Sequence, residues 1–337
     1  MRKEASMDLW KTLYHLTAEL KDLDPWQELW DLDLIGIQEN GKKEPVFVSI
    51  MGKTEGKKAA AIYDGTRGLA SFQQTLASLD TPIRQDYVMY EQEALTLHFG
   101  ERIEVPEEQM AVIKELGLKF AGKGNWPYFL SFKPRYAPWT PDADEVHLMA
   151  ETLVQLIEAV KALREKRTEV DFEAGEFCYR YFDQETLNWM TAPAKLPMAS
   201  MEYDVLELAD GELMASLEEA PQNEENLVMD FAYLGGMSKD DKYERPVNPL
   251  LFIAMEESTQ SVLHADVIWP EDAENEMALE FLIFYTQQTG CKPKRVLARC
   301  PYILAGLQEI CEKMGVELMN LPLPQVDKVL EDMMAQM

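Results

Sequence analysis

The chain has 337 residues, 47% of them apolar, and a formal charge of −28 from 60 acidic against 32 basic side chains. That length and apolar content support two folded domains and exclude a disordered acidic tail. The charge argues against duplex nucleic acid and anionic membrane as partners, and leaves a protein partner or self-association open.

No apolar run is long enough to span a bilayer, and Met1-Arg-Lys-Glu-Ala5 lacks a hydrophobic signal core, so the expected location is cytoplasmic. Cys178, Cys291, Cys300 and Cys311 have no pair at zinc-knuckle or redox spacing, and His15, His98, His147 and His264 include no pair at ligand spacing. No metal and no cofactor is implied.

Asp8 to Leu23 reads as a helix, with Leu9, Leu13, Leu16 and Leu20 on one stripe beside Trp10 and Tyr14. Trp26 and Trp30, four apart, are expected to share a face and close the N-terminal domain. Leu32–Ile37, Pro45–Ile50 and Ala59–Tyr63 read as strands, and residues 66–78 as a helix. Gly52-Lys-Thr-Glu-Gly-Lys-Lys58 is a hairpin turn, because a strand follows where a phosphate loop needs a helix. Tyr87–Tyr90 and Ala94–Phe99 look like a second hairpin. Pro106 to Leu116 is a helix stopped by Gly117.

From Leu116 to Pro141 there is no Asp or Glu. Basic and aromatic residues interleave there, and Lys123, Trp126, Tyr128, Lys133, Arg135 and Trp139 form the candidate site for an anionic or planar ligand. The competing expectation is a long irregular wrap, its aromatics buried and its bases paired with acids of the second half. Asp142 to Lys166 is the longest helix, apolar at three and four spacing from Val146 to Leu163. Glu176–Phe182 and Thr186–Met190 are strand-like, and Pro193 and Pro197 follow. The boundary is expected there, giving an N-terminal domain of residues 1–197 and a C-terminal domain of residues 198–337.

Residues 201–280 hold 21 Asp and Glu against Lys239, Lys242 and Arg245. Such a face is either solvated or a docking surface for a basic partner. Within and beyond it, Leu227–Leu234, Pro249–Met255 and Ser261–Trp269 read as strands, the last two a hairpin. A helix ending at Gly290, the strand Arg295–Ala298, a helix from Pro301 to Gly315 and the strand Val316–Met319 follow, so a right-handed parallel crossover is expected. The final helix, Gln325 to Met337, either packs down or pairs with a second copy.

This order resembles that of ribonuclease H-like domains. The resemblance would put Asp230 at the first acidic position, with Glu256, Asp266 or Glu309 as helpers in a metal-dependent hydrolase. The fourth strand, however, ends Ala298-Arg299-Cys300, where a carboxylate is required. Separately, Pro25-Trp26, Phe99-Gly-Glu-Arg102, Leu116–Phe120, Gly122-Lys123, Trp126–Phe129 and Pro134–Trp139 resemble an N-terminal domain of uncharacterised bacterial proteins. Arg295 to Pro324 resembles the domain that accompanies it. Both are domains of unknown function. The expectation is therefore a two-domain α+β and α/β protein, each domain a mixed sheet with packed helices. Its expected role is a non-catalytic binding or scaffold protein, with the hydrolase and the small-anion binder as alternatives.

Overall fold

A computed structural model gives the structure of residues 2–54 and 56–335. In chain order the first 200 residues form α1 (Met7–Leu23), β1 (Ile35–Gln38), β2 (Val46–Met51), β3 (Ala59–Asp64), α2 (Gly65–Ala77), α3 (Gln85–Tyr90), β4 (Ala94–Gly100), α4 (Glu107–Glu115), β5 (Trp126–Phe132), α5 (Ala143–Arg164), β6 (Glu176–Asp183) and β7 (Asn188–Lys195). Then come α6 (Gly211–Glu219), β8 (Asn226–Tyr233), β9 (Leu250–Glu256), β10 (Val262–Ile268), α7 (Glu274–Thr289), β11 (Arg295–Ala298), α8 (Pro301–Met314), β12 (Glu317–Asn320) and α9 (Pro324–Met334). They divide into two compact units. The first takes the chain up to Gln74, Glu91–Pro134 and Pro138–Ser200; the second takes Thr75–Tyr90, Arg135–Ala137 and Met201 onward. Two N-terminal stretches thus belong to the second unit.

The first unit is built on a seven-stranded sheet of order β5-β4-β3-β2-β1-β6-β7. All neighbours are antiparallel except β1 and β6. One face carries Ile35, Ile37, Val48, Ile50 and Leu97 against α1 and α5, whose stripes bury Leu13, Leu20, Leu153 and Leu156. Asp142 caps α5 with Glu145 reaching back, a capping box that fixes where the helix starts. The other face packs Phe47, Tyr63 and Phe177 against Leu69 and Phe72 of α2. Gly36 of β1 lies under the Phe177 ring; a Cβ there would sit 2.3 Å from its Cε2.

Three local expectations are corrected. Tyr87–Tyr90 is helix, not strand: adjacent Tyr87 and Val88 both enter the core of the second unit, which a strand would send to opposite faces. The stretch Leu116–Pro141 is not irregular throughout, since β5 runs through it with alternating burial. Pro127 is tolerated because β5 is an edge strand. Trp26 and Trp30 do not share a face. Trp26 is buried against Phe99 and donates to the Ala59 carbonyl at 2.8 Å, whereas Trp30 is exposed with Lys53 over its ring.

The second unit has a five-stranded sheet of order β10-β9-β8-β11-β12, with β8, β9 and β10 antiparallel and β8, β11 and β12 parallel. This is the ribonuclease H-like order. One face holds Leu227, Met229, Phe231 and Phe252 against α3, α6, α7 and α8. The opposite face holds Val228, Ala232, Ile253 and Leu297 against Leu323, Val326 and Leu330, so α9 packs down on its own sheet. Residues 336 and 337, part of the expected last helix, lie outside the described residues. Gly315 ends α8 with φ +66, the left-handed turn that lets its N–H close on the Cys311 carbonyl.

Candidate functional site

Alternation along β8 sends Asp230 to the α9 side of the sheet, between Val228 and Ala232. The neighbouring strand β11 ends one residue before Arg299. Its Nε donates to Asp230 Oδ2 at 2.8 Å, and both side chains are almost wholly buried. The other two guanidinium nitrogens reach Asp327 of α9 at 2.7 and 3.1 Å. Asp327 also accepts from Arg84 at 2.9 Å, and Arg84 is forked onto Asp86. Three carboxylates and two guanidiniums thus form one chain, Asp230–Arg299–Asp327–Arg84–Asp86.

The electrostatics follow burial. Loss of water pushes the Asp230 carboxyl up to about 6, against the pull of Arg299. Half-exposed Asp327 also loses water, but Arg299 and Arg84 hold it below the usual carboxylate range. Asp86 holds the Arg84 guanidinium firmly charged.

The other expected acids do not join Asp230. Glu256 pairs across the sheet with Leu227, and Asp266 with Phe252, so both belong to the α7 and α8 side. Glu256 accepts from Thr259 at 2.9 Å, Asp266 is exposed, and Glu309 pairs with Lys313 on α8. Among the described residues no three His, Cys, Asp or Glu are placed to hold a metal ion. Cys178 and Cys311 are buried and pushed up to about 12 by loss of water, and burial raises Cys300 as well. These thiols are buried core residues whose reactive thiolate form is disfavoured.

The basic and aromatic candidates disperse. Lys123 is exposed and meets Glu101 at 3.4 Å. Tyr128 stacks on His98 with centroids 4.9 Å apart, and Trp126 lies under Arg102 beside Phe120. Lys133 pairs with Glu145 at 2.8 Å. Trp139 exchanges backbone hydrogen bonds with Ser131. Arg135 belongs to the second unit; it is buried, binds Glu274 at 2.8 Å and the Asp272 carbonyl at 3.1 Å, and has φ +71. Its amide donates to the Tyr233 hydroxyl. That is a structural anchor held in the left-handed region by its partners.

Two clefts open at the two ends of β5. One, of about 790 Å³, is lined by Lys57, Lys58, Lys123, Tyr128, His98 and Glu104 among others. Burial pushes His98 down to about 4, so its ring is neutral there. The other, of about 410 Å³, collects Asp64, Arg67, Glu93, Lys133 and Glu145 over Ile62, Leu95 and Leu148. Sequence reasoning missed Lys57 and Lys58 as companions of Lys123, since the hairpin turn that carries them is distant in the chain. It also missed Arg84 and Asp327; only Arg299, by its place after β11, gave a readable signal.

Together these features define a two-domain α+β protein whose second unit has the ribonuclease H-like strand order with an arginine in the acidic centre. The chain belongs to the family "Domain of unknown function (DUF7309)", whose model matches residues 10–180, and residues 213–334 match "Domain of unknown function (DUF6930)". No curated protein matches the chain. Among solved structures, the catalytic core domain of BIV integrase is similar at 14% identity and a TM-score of 0.23, over 34% of this chain. This chain spans 66% of that one, slightly less than two thirds. Among the described residues no helix is long and apolar enough to cross a membrane.

Proposed function

We propose that this chain is a cytoplasmic binding protein that takes a basic protein partner on its acidic second unit, and not a metal-dependent hydrolase. The observation that carries this reading is the Arg299–Asp230 ion pair. A divalent ion at that centre needs converging carboxylate oxygens. Here the single buried carboxylate is already neutralised by a guanidinium on the adjacent strand end, and the cation is part of the fold. The excess of acid over base in residues 201–280 then supplies the attraction for a basic partner.

Two measurements test this. Calorimetry with Mg²⁺ and Mn²⁺ is expected to give no binding heat that Asp230→Asn removes; a heat lost in that variant overturns the reading. Pull-down from lysate at low and then physiological salt is expected to recover a partner that salt releases. Recovery of nothing at either salt also overturns it.

A second reading is favoured by the cleft at the start of β5. Lys57, Lys58 and Lys123 border it, and neutral His98 and Tyr128 supply a stacked apolar wall. Such a lining suits a small anion with a planar part. Thermal shift with ADP and with inorganic phosphate, repeated on Lys123→Ala and Lys57→Ala, tests it. Stabilisation that survives both changes places the ligand elsewhere.

A further inference from the structure

A sheet edge presents unpaired backbone donors and acceptors, and folded proteins guard such edges with proline, lysine, short length or a covering segment. The two sheets have four edges, and three are guarded. β5 contains Pro127, and Ser131 spends its outward N–H and C=O on Trp139 at 2.7 and 3.1 Å. β7 contains Pro193 and ends on Lys195. β12 has four residues and opens with Glu317 bonded to Arg295.

β10 is the least guarded, with one bulge and the Asp266 side chain accepting from the Val267 N–H at 2.8 Å. It has seven residues, Val262-Leu-His-Ala-Asp-Val-Ile268, without proline, lysine or arginine. Its one irregularity, a register shift between Val262 and His264, leaves His264 to Ile268 in regular pairing with β9. Every residue from Val262 to Asp266 is exposed, although the strand is hydrogen-bonded on its β9 side. Apolar surface lies along it: Val262 is 44% exposed, Leu263 40% and Phe284 of α7 55%. The His264 ring stacks on Phe281 at 5.4 Å, and Phe281 lies 6.2 Å from Phe284, so an aromatic row flanks the strand.

The charge around this edge selects its occupant. From Pro246 through Cys291 there is no Lys or Arg, whereas Glu256 to Glu280 includes eight carboxylates. Glu271 and Glu274 are neutralised by Lys242 and Arg135. Among the described residues, Glu256, Glu257, Asp266, Asp272, Glu276 and Glu280 enter no ion pair. A second copy would bring the same negative charge against this edge. A cationic chain would gain from it.

We propose that β10 is a binding site for an extended basic segment of a partner protein, which adds to the sheet as a further strand beyond β10. Main-chain hydrogen bonds supply the pairing, alternate apolar side chains of the segment lie on Leu263 or on the Phe281–Phe284 row, and its Lys or Arg residues meet Asp266 and the acids beside it. This rests on the reading of the chain as a binding protein and names the surface that does the binding.

The test is fluorescence anisotropy with the full chain and three labelled peptides. One alternates lysine with valine, one alternates glutamate with valine, and one alternates lysine with proline. The lysine–proline peptide has the same charge as the first but lacks every second N–H and favours the polyproline conformation over a pleated strand. The lysine–valine peptide is expected to bind with a salt-sensitive Kd, at least about tenfold tighter than either other peptide. The double variant Leu263→Lys/Ala265→Lys is expected to weaken it by about tenfold or more, and Glu317→Lys, which changes the charge equally at the opposite edge, by less than about twofold. Equal binding of the lysine–valine and lysine–proline peptides overturns the strand site while leaving a generally acidic binding surface standing. Equal loss in the two variants does the same. No binding of the lysine–valine peptide at low salt overturns the strand site outright. A dimer in sedimentation that the double lysine variant dissociates overturns it as well, by giving β10 to a second copy.

Discussion

Asp230 of β8 and Arg299, one residue past the end of the neighbouring parallel strand β11, meet at 2.8 Å with almost no access to water. A buried carboxylate deprived of its cation is costly, on the order of 3–5 kcal/mol. Arg299→Leu is therefore expected to destabilise the second unit by about that amount at pH 7.5, and by clearly less at pH 5, where Asp230 takes up a proton. Urea denaturation followed by circular dichroism at the two pH values checks this. An equal loss at both would mean that the cation and not the charge of Asp230 sets the cost.

Removing both partners is a different experiment. Asp230→Leu/Arg299→Leu leaves no buried charge, and Asp327 keeps Arg84. The double variant is expected to lose less stability than Arg299→Leu alone, which the same denaturation curves measure.

Asp230 in the second unit and His98 in the first contribute to the acid response with opposite sign. Asp230 is raised to about 6 from the ordinary value of 3.8, so the folded state binds the extra proton first. Through this group, stability is gained as pH falls from about 6 towards 4 and lost as pH rises through 6. His98 is lowered from 6.5 to about 4, so the unfolded state binds the proton first. Through this group, stability is lost as pH falls from 6.5 towards 4, at up to about 1.4 kcal/mol per pH unit. His98→Gln is expected to flatten the acid side of the pH–stability curve for the first unit, and Asp230→Asn to remove the gain in the second.

Gly36 is fixed by a neighbour and not by its own backbone. A methyl group there would meet Phe177 Cε2 at 2.3 Å, inside a packed core. Gly36→Ala is expected to cost about 1–3 kcal/mol and Gly36→Ala/Phe177→Leu to recover part of it, read as shifts in Tm.

Much of the architecture was legible because it rests on periodicity. The apolar stripes of α1 and α5, the strands β1 to β3 and the whole order from β8 to β12 followed from spacing and from Pro270, Gly290, Pro301 and Gly315 as stops. The centre was half legible: Arg299 at the end of β11 could be read as the wrong residue for a metal, but that it binds Asp230 needed the strand order. What failed were stretches whose partners are far away. Tyr87 and Val88 have strand-forming side chains, yet a core more than a hundred residues downstream turns them into a helix. Arg135 looked like a neighbour of Lys133, although it serves Glu274 and Tyr233 instead. The guarded and unguarded sheet edges were invisible, because edge status depends on strand order and not on strand composition.

The chain leaves the first unit after Gln74 and returns at Glu91, and the stretch in between supplies Ile83 and, from α3, Tyr87 and Val88 to the second hydrophobic core, and Arg84 to Asp327. Splitting the chain at Ser200 therefore does not yield two self-sufficient pieces. The C-terminal fragment would carry a hole where α3 belongs, and the N-terminal one would trail an orphaned apolar helix. Proteolytic nicking in this protein should accordingly be tolerated between Pro197 and Asp210 only while both pieces stay associated.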